Sequence, residues 1–171
     1  MKKIINKIRA FTLIETLLSI VIASIILGMT SSFFLDMVLA KKTFLARQEL
    51  NYNMQFLIQK IRSEVIEAGA VNADDSTLGM SPGRLSLTSD NPAKDPIIIE
   101  SDGEKLTIKY AEDEVLDLIS RKVKVDELTF SYLEPENSTG IIEGSITLES
   151  TVDNSLFETN NFSINLRNKS T

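Results

Sequence analysis

A single carboxylate, Glu15, interrupts an otherwise uncharged apolar stretch near the N-terminus of this 171-residue chain. It follows the run Phe11-Thr12-Leu13-Ile14 and precedes residues 16–35, which carry no charge. A carboxylate at membrane depth costs about 2.5–3.5 kcal/mol on insertion scales, so it normally has a partner and a function. Two roles are open to Glu15. It pairs with a cation, or it snorkels to the interface, since Arg9 lies a short way upstream.

The composition excludes most catalytic chemistry. The sequence contains no Cys, no His and no Trp, which removes disulfides, thiol nucleophiles, Cys/His metal sites and histidine bases. The acidic clusters Asp74-Asp75 and Glu112-Asp113-Glu114 lack the ligand spacing of a calcium loop and indicate solvated charge. A surface enzyme would need a carboxylate-only or serine-based site, and no such pattern is present. The sequence therefore predicts no catalytic residue, no metal, no cofactor and no small-molecule substrate.

The charge is distributed unevenly along the chain. There are 18 Lys+Arg and 24 Asp+Glu, a formal net charge of −6. Residues 1–10 contain four basic residues and no acidic one, which leaves 14 basic against 24 acidic residues in residues 11–171. An acidic body of this kind is a poor binder of phosphate, so nucleic acid is not an expected partner.

Residues 16–35 predict a membrane-spanning helix. At 1.5 Å per residue such a helix is about 30 Å long, which matches the hydrocarbon core of a bilayer. A buried helix of a small soluble domain would not be apolar on every face. The basic residues 1–10 should stay cytoplasmic, which places the C-terminal body outside. We expect a single-pass protein of the cytoplasmic (inner) membrane that contacts lipid.

A cleaved secretory signal peptide is the main competing interpretation of this N-terminus. Signal peptides have an apolar core of about 7–15 residues, shorter than the uncharged run here. The carboxylate of Glu15 within the apolar block also argues against it.

The run Lys7-Ile8-Arg9-Ala10-Phe11-Thr12-Leu13-Ile14-Glu15, followed by an apolar helix, resembles the leader and processing site of type IV pilins and pseudopilins. In that family a prepilin peptidase removes a short basic leader, which corresponds here to residues 1–10. The new first residue, usually Phe, is N-methylated, and a Glu stands four residues after it. The resemblance implies cleavage between Ala10 and Phe11 and methylation of Phe11. The family normally has Gly at the position of Ala10.

The resemblance also implies a role for Glu15 in assembly. In the family's mechanism, the N-terminal amine created on Phe11 pairs with the Glu15 carboxylate of a neighbouring subunit. An ion pair removed from water forms favourably only when both partners are present and aligned. The implied partners are the prepilin peptidase, other pilin or pseudopilin subunits, and membrane lipid. The implied final location is a pilus or pseudopilus.

The helix is predicted to continue beyond the membrane segment, from Phe11 to about residue 68. Residues 36–70 are rich in helix-forming residues, and an apolar stripe predicts an amphipathic half that packs on a sheet. The stripe consists of Leu50, Met54, Leu57, Ile61 and Val65. Gly69 marks the predicted helix end, and the Gly28–Ser32 stretch is the candidate for a bend or for melting on assembly.

Residues 71–171 predict a globular head rich in antiparallel β-structure. Short runs alternate apolar and polar residues, and Ser101-Asp102-Gly103 predicts a hairpin turn. The predicted strands are 84–88, 96–100, 104–110, 115–120, 127–133, 141–150 and 156–166. The fold class is α+β: a long N-terminal helix, with residues 11–35 transmembrane, packed on an antiparallel sheet. This is the pilin architecture.

The function that the resemblance implies is structural. The chain is expected to be a minor subunit of a type IV pilus or of a type II secretion or competence pseudopilus. The lack of a disulfide-bounded loop favours a minor component, and the spacing of residues 118–132 is similar to pseudopilins of the J type. The alternative is a membrane-anchored extracytoplasmic binding module that never polymerises, which retention of residues 1–10 would support.

Overall fold

The computed structural model describes residues 12–111, 113–134 and 140–167. The chain divides into two compact units, residues 1–42 and 43–171. The described residues form one long helix, α1 (Leu13–Glu67), and eight strands. In chain order the strands are β1 (Ala68–Val71), β2 (Arg84–Ser89), β3 (Ile97–Ser101), β4 (Leu106–Tyr110), β5 (Leu116–Asp117), β6 (Val123–Leu133), β7 (Ile141–Ser150) and β8 (Phe157–Asn165).

The first unit, in its described part, consists of α1 up to Lys42. The helix is continuous through Gly28–Ser32, the stretch that the sequence offers as the candidate for a bend or for melting. The Thr30 hydroxyl donates to the Ile26 carbonyl at 3.0 Å, and the Ser31 hydroxyl donates to the Leu27 carbonyl at 2.8 Å. Hydroxyls in helices commonly bond one turn back in this way. The melting of this stretch on assembly stays a prediction.

In the second unit, α1 buries the predicted apolar stripe. Leu57, Ile61 and Val65 are completely buried, and Leu50 and Met54 nearly so. Their spacing of three and four residues keeps them on one side of the helix. The prediction that this stripe packs as core is therefore confirmed.

Strand β1 is a feature that the sequence analysis did not predict. The helix ends at Glu67, close to the expected position, but the chain then enters β1 directly. Ala68 pairs with Ser89 and Val71 pairs with Leu87, with a register shift between Ala68 and Ala70. Ala and Gly have low β-propensity, so pairing with β2 is what makes this segment a strand.

The first sheet is antiparallel, and its strands follow chain order from β1 to β5. The predicted hairpin turn between β3 and β4 is confirmed. Gly103 has φ 94°, and the Asp102 carboxylate accepts hydrogen bonds from the backbone N–H groups of Glu104 and Lys105 at 3.0 and 2.7 Å. Glycine suits this position because it lacks the Cβ that disfavours positive φ.

The second sheet contains β6, β7 and β8 in that order, again antiparallel. The sequence predicts one sheet, whereas the described strands form two. Strand β6 begins at Val123, earlier than predicted, and has a bulge between Val125 and Glu127. A bulge bends its strand and increases the local twist. Because the bulge interrupts the alternation of apolar and polar residues, a search for a period of two misses the first part of the strand.

The core of the second unit joins the helix and both sheets in one cluster of buried apolar residues. The first sheet contributes, among others, Leu85, Leu87 and Ile99, and the second contributes Leu128 and Phe130, all of them completely buried. The long helix thus packs against antiparallel sheets, and the α+β fold class is confirmed.

Candidate functional site: the N-terminal segment of the helix

Glu15 lies in the first turn of α1. Its backbone N–H donates to the Thr12 carbonyl at 3.0 Å, and that of Thr16 donates to the same carbonyl at 3.2 Å. A carboxylate in the first turn interacts favourably with the positive end of the helix dipole. Within the described residues no basic side chain forms an ion pair with Glu15, which is exposed. The carboxylate is therefore available to a partner from outside these residues.

The large apolar side chains between residues 17 and 39 are all exposed. Their exposed fractions range from 39% for Val38 to 73% for Phe33. Burying a side chain of this kind fully is worth about 1.5–3 kcal/mol. A surface this apolar is stable only against lipid or against other apolar helices.

The hydroxyl groups in this segment are satisfied by the helix itself. The hydroxyls of Thr16, Ser19 and Ser24 donate to the carbonyls of Leu13, Glu15 and Val21 at 2.8–2.9 Å. Unpaired polar groups are costly in hydrocarbon, and these internal bonds remove most of that cost. Of the polar side chains just after the helix start, Glu15 alone carries a charge.

Among the described residues, α1 is the one helix that is long and apolar enough to cross a membrane. Its apolar window has no buried residue. Length and composition are therefore consistent with a membrane-anchored protein.

The family comparison identifies this same segment. Residues 5–31 match the prokaryotic N-terminal methylation motif. The motif supports a type IV pilin-like or pseudopilin-like protein that is processed by a prepilin peptidase, and it favours a structural protein over an enzyme. It covers 27 of the 171 residues and ends within α1. Comparison with curated proteins and with solved structures gave no match.

The methylation motif contains all three site residues of the sequence analysis. Ala10 and Phe11, the predicted cleavage and methylation positions, lie outside the described residues. Glu15 lies inside them. The structure thus places one of the three and leaves the processing geometry as a prediction.

The structure describes the acidic cluster Asp74-Asp75 and part of the cluster Glu112-Asp113-Glu114. Asp75 forms an ion pair with Arg84 at 3.1 Å, and the Arg84 guanidinium also bonds to Glu100 at 2.6 Å. Hydrogen bonding from Arg84 holds the pKa of Asp75 below its usual range. Glu112 lies outside the described residues. Over the described ranges, no group of three or more acidic side chains is arranged to hold a metal.

A polar junction joins α1 to the segment after β5, and sequence reasoning missed it. The Ser120 hydroxyl donates to the Glu49 carboxylate at 2.7 Å, and the Ser120 N–H donates to the Asn53 side-chain carbonyl at 2.9 Å. Asn53 is 4% exposed. The hydrogen bond from Ser120 lowers the pKa of Glu49. The available signal was that Asn53 lies three residues after Leu50, on the buried side of the helix.

Glu64 is a second buried polar residue that the sequence analysis did not predict. It is 2% exposed and accepts from Lys60 at 2.6 Å and from the Tyr110 hydroxyl of β4 at 2.7 Å. Burial raises the pKa of Tyr110. This contact ties the last turns of the helix to the first sheet, so we regard it as structural.

Removing the Ser120 hydroxyl should change how stability depends on pH. Because the pKa of Glu49 is lowered in the folded state, its contribution is present above the ordinary carboxyl range and is lost as the pH falls through the folded pKa. Ser120→Ala should cost about 1 kcal/mol at neutral pH and lose less stability on acidification. Urea unfolding of the detergent-solubilised protein at neutral and acidic pH measures both effects.

The control for this prediction is Ser63→Ala, at an exposed position of α1. It should change the stability by no more than about 0.5 kcal/mol and leave its pH dependence as in the parent. An unchanged acid dependence in Ser120→Ala would show that the bond to Glu49 does not influence its titration.

Proposed function

We propose that this protein is a minor structural subunit of a type IV pilus or of a type II secretion or competence pseudopilus. The observation that carries the proposal is that the methylation motif leads into a helix whose large apolar side chains up to residue 39 are all exposed. Residues 43–171, in contrast, form a unit with its own buried core. A subunit with a folded head and an exposed apolar helix can be anchored in a membrane by that helix, and it can also pack that helix against the helices of other subunits.

The first step of the proposed function is processing. The basic residues 1–10 hold the N-terminus on the cytoplasmic side, and the prepilin peptidase cleaves between Ala10 and Phe11. Cleavage removes four positive charges and creates one amine, which is methylated on Phe11. The subunit then has fewer charges that must cross the apolar interior of the membrane when it leaves the membrane.

The second step is docking through Glu15. Its carboxylate has no ion-pair partner within the described residues, and it lies four residues after the new amine of Phe11. A neighbouring subunit's Phe11 amine supplies the missing positive charge. Since an isolated charge in an apolar environment is costly, the pair sets the register between adjacent helices.

The assignment as a minor subunit rests on two features of the sequence. The chain lacks cysteine and therefore has no disulfide-bounded loop of the kind many major pilins carry. The spacing of residues 118–132, which include the first ten residues of β6, resembles the J type of minor pseudopilin.

Processing provides the direct test of this proposal. Intact-mass analysis of the assembled protein should show a mature chain that begins with methylated Phe11. Ala10→Gly should leave the rate of cleavage unchanged or increase it, because Gly is the family's usual residue there. Ala10→Glu, which introduces a bulky charged group, should block cleavage.

Finding the intact Met1 terminus in functional assemblies would refute the proposed processing. An uncleaved protein that stays in the membrane and never enters a filament would support the alternative, a membrane-anchored extracytoplasmic binding module.

A further inference from the structure

Strand β8 has an open edge. It pairs with β7 over its whole length, from Phe157 opposite Glu149 to Asn165 opposite Ile141, without a register shift. It is the last strand of its sheet. Within the described residues, no backbone hydrogen bond reaches the other side of residues 157–165. Along this nine-residue strand, every second residue thus presents unpaired backbone N–H and C=O groups at the open edge.

The other three edge strands of the described sheets are protected. Strand β5 has only two residues, and β1 has four with an irregular register. The outer edge of β6 is bonded to other parts of the chain: the Gly79 N–H donates to the Phe130 carbonyl at 2.7 Å, and the Val125 N–H donates to the Glu104 carbonyl at 2.8 Å. Short strands, bulges and covering segments are the usual means of blocking an edge.

Strand β8 has none of these protections. It contains no Lys, no Arg and no Pro, and its one charged residue is Glu158. Glu158 lies at the start of the strand, in a small depression that Arg47 and Asn51 of α1 also line. The remaining residues, 159–165, are uncharged and alternate between buried and exposed from Asn161 onward. The strand is long, regular and open, which favours addition of another strand.

We propose that the open edge of β8 pairs with β8 of a second copy of this chain, antiparallel and centred on Asn161. This register uses the whole strand. On the exposed face it places Thr159 opposite Ser163 and Asn161 opposite its own copy. These are hydrogen-bonding pairs of the kind that stabilise neighbouring strands, and the sheet already contains one, Thr147 with Thr159 at 3.0 Å.

The charges also suit pairing with a second copy. In this register Glu158 lies opposite Ile164, so the two Glu158 carboxylates are six positions apart along the paired strands. At about 3.4 Å per residue their separation is about 20 Å, beyond the screening length at physiological salt. Antiparallel self-pairing therefore brings no like charges together.

The pairing goes beyond the proposed role in a filament. It needs only the second unit, and it joins two copies through a two-fold axis without using Phe11 or Glu15. A two-fold contact closes on itself and forms a dimer. The pairing can therefore be tested without reference to processing or filament assembly.

The chain contains no cysteine, so single cysteines report this contact cleanly. Asn161→Cys in the full-length protein in native membranes should form a disulfide-linked homodimer under mild oxidation. Paired residues of antiparallel strands have Cα atoms about 4.5–5.5 Å apart, within the range that a disulfide bridges. The matched control is Ser145→Cys, on the neighbouring strand directly beside Asn161. Its copy would lie about three strand spacings, or 14 Å, away, so it should not crosslink.

Asn161→Lys supplies a second test, because it places two like charges opposite each other. It should reduce the dimer detected with a bifunctional crosslinker by at least about tenfold while thermal unfolding stays as in the parent. Absence of the Asn161→Cys homodimer would overturn the proposal. Crosslinking of Asn161→Cys only to a different protein would overturn it too, and stronger self-crosslinking at Thr159→Cys or Ser163→Cys than at Asn161→Cys would overturn the register.

Discussion

Replacing Glu15 with leucine should leave cleavage between Ala10 and Phe11 intact and reduce incorporation into filaments by about 30-fold or more. Removing one member of a buried charge pair costs about 2–5 kcal/mol, because the other charge is left unpaired, and 1.4 kcal/mol corresponds to a factor of ten. Cleavage should survive, since the peptidase acts upstream of Glu15. Membrane retention should increase, because the helix becomes more apolar.

Co-purification of the variant with partner pilins, together with intact-mass analysis, measures both results. Glu15→Asp keeps the charge but shortens its reach, so an intermediate defect is expected. Thr16→Val is the matched control, since it removes only a hydroxyl that bonds to the Leu13 carbonyl of the same helix. It should assemble like the parent.

The competing interpretation is that Glu15 only reaches the membrane interface. In that case neither Glu15→Leu nor Glu15→Asp should affect assembly. Co-purification of Glu15→Leu at the parental level would therefore remove the main support for the pairing with Phe11.

Placing an aspartate at Leu57 should unfold the second unit. Leu57 is completely buried at the centre of the helix stripe and belongs to the same apolar cluster as buried side chains of both sheets. A charge there has no partner, and the expected loss is about 4 kcal/mol or more, comparable to the whole stability of a marginal domain. Ile61→Asp should have a similar effect for the same reason.

Near-UV circular dichroism from the tyrosines and urea unfolding of the detergent-solubilised protein measure this loss. Gln59→Asp, two residues along the same helix but exposed, is the control and should change stability by no more than about 0.5 kcal/mol. Parental stability of Leu57→Asp would mean that the stripe faces solvent and that the helix does not pack on the sheets as described.

The methylation motif and the long apolar helix that follows it were predictable from the sequence. The basic residues 1–10, the uncharged residues 16–35 and the carboxylate of Glu15 are local features, and each has a direct physical meaning for insertion in a membrane. The comparison that matches residues 5–31 depends on the same local features. A motif of this kind consists of residues that are close together in the sequence, so it can be recognised without knowledge of any tertiary contact.

The strands were predictable where alternation is regular. The predicted runs at 84–88, 104–110 and 141–150 coincide closely with β2, β4 and β7. The start of β6 was missed because its bulge shifts the alternation by one residue. Strand β1 was missed because Ala68, Gly69 and Ala70 have little strand preference of their own and form a strand only by pairing with β2.

The amino-acid sequence by itself determined the helix, its apolar stripe, most of the strands and the charge pattern of the N-terminus. The tertiary structure decided which strands pair, that they form two sheets, that Asn53 and Glu64 are buried, and that the edge of β8 is open. The periodicity of apolar residues shows which face of a helix or strand is apolar, because side chains on one face recur at a fixed spacing along the chain. Strand pairing and edge exposure depend on residues far apart in the chain, and nothing within a single segment specifies its partner.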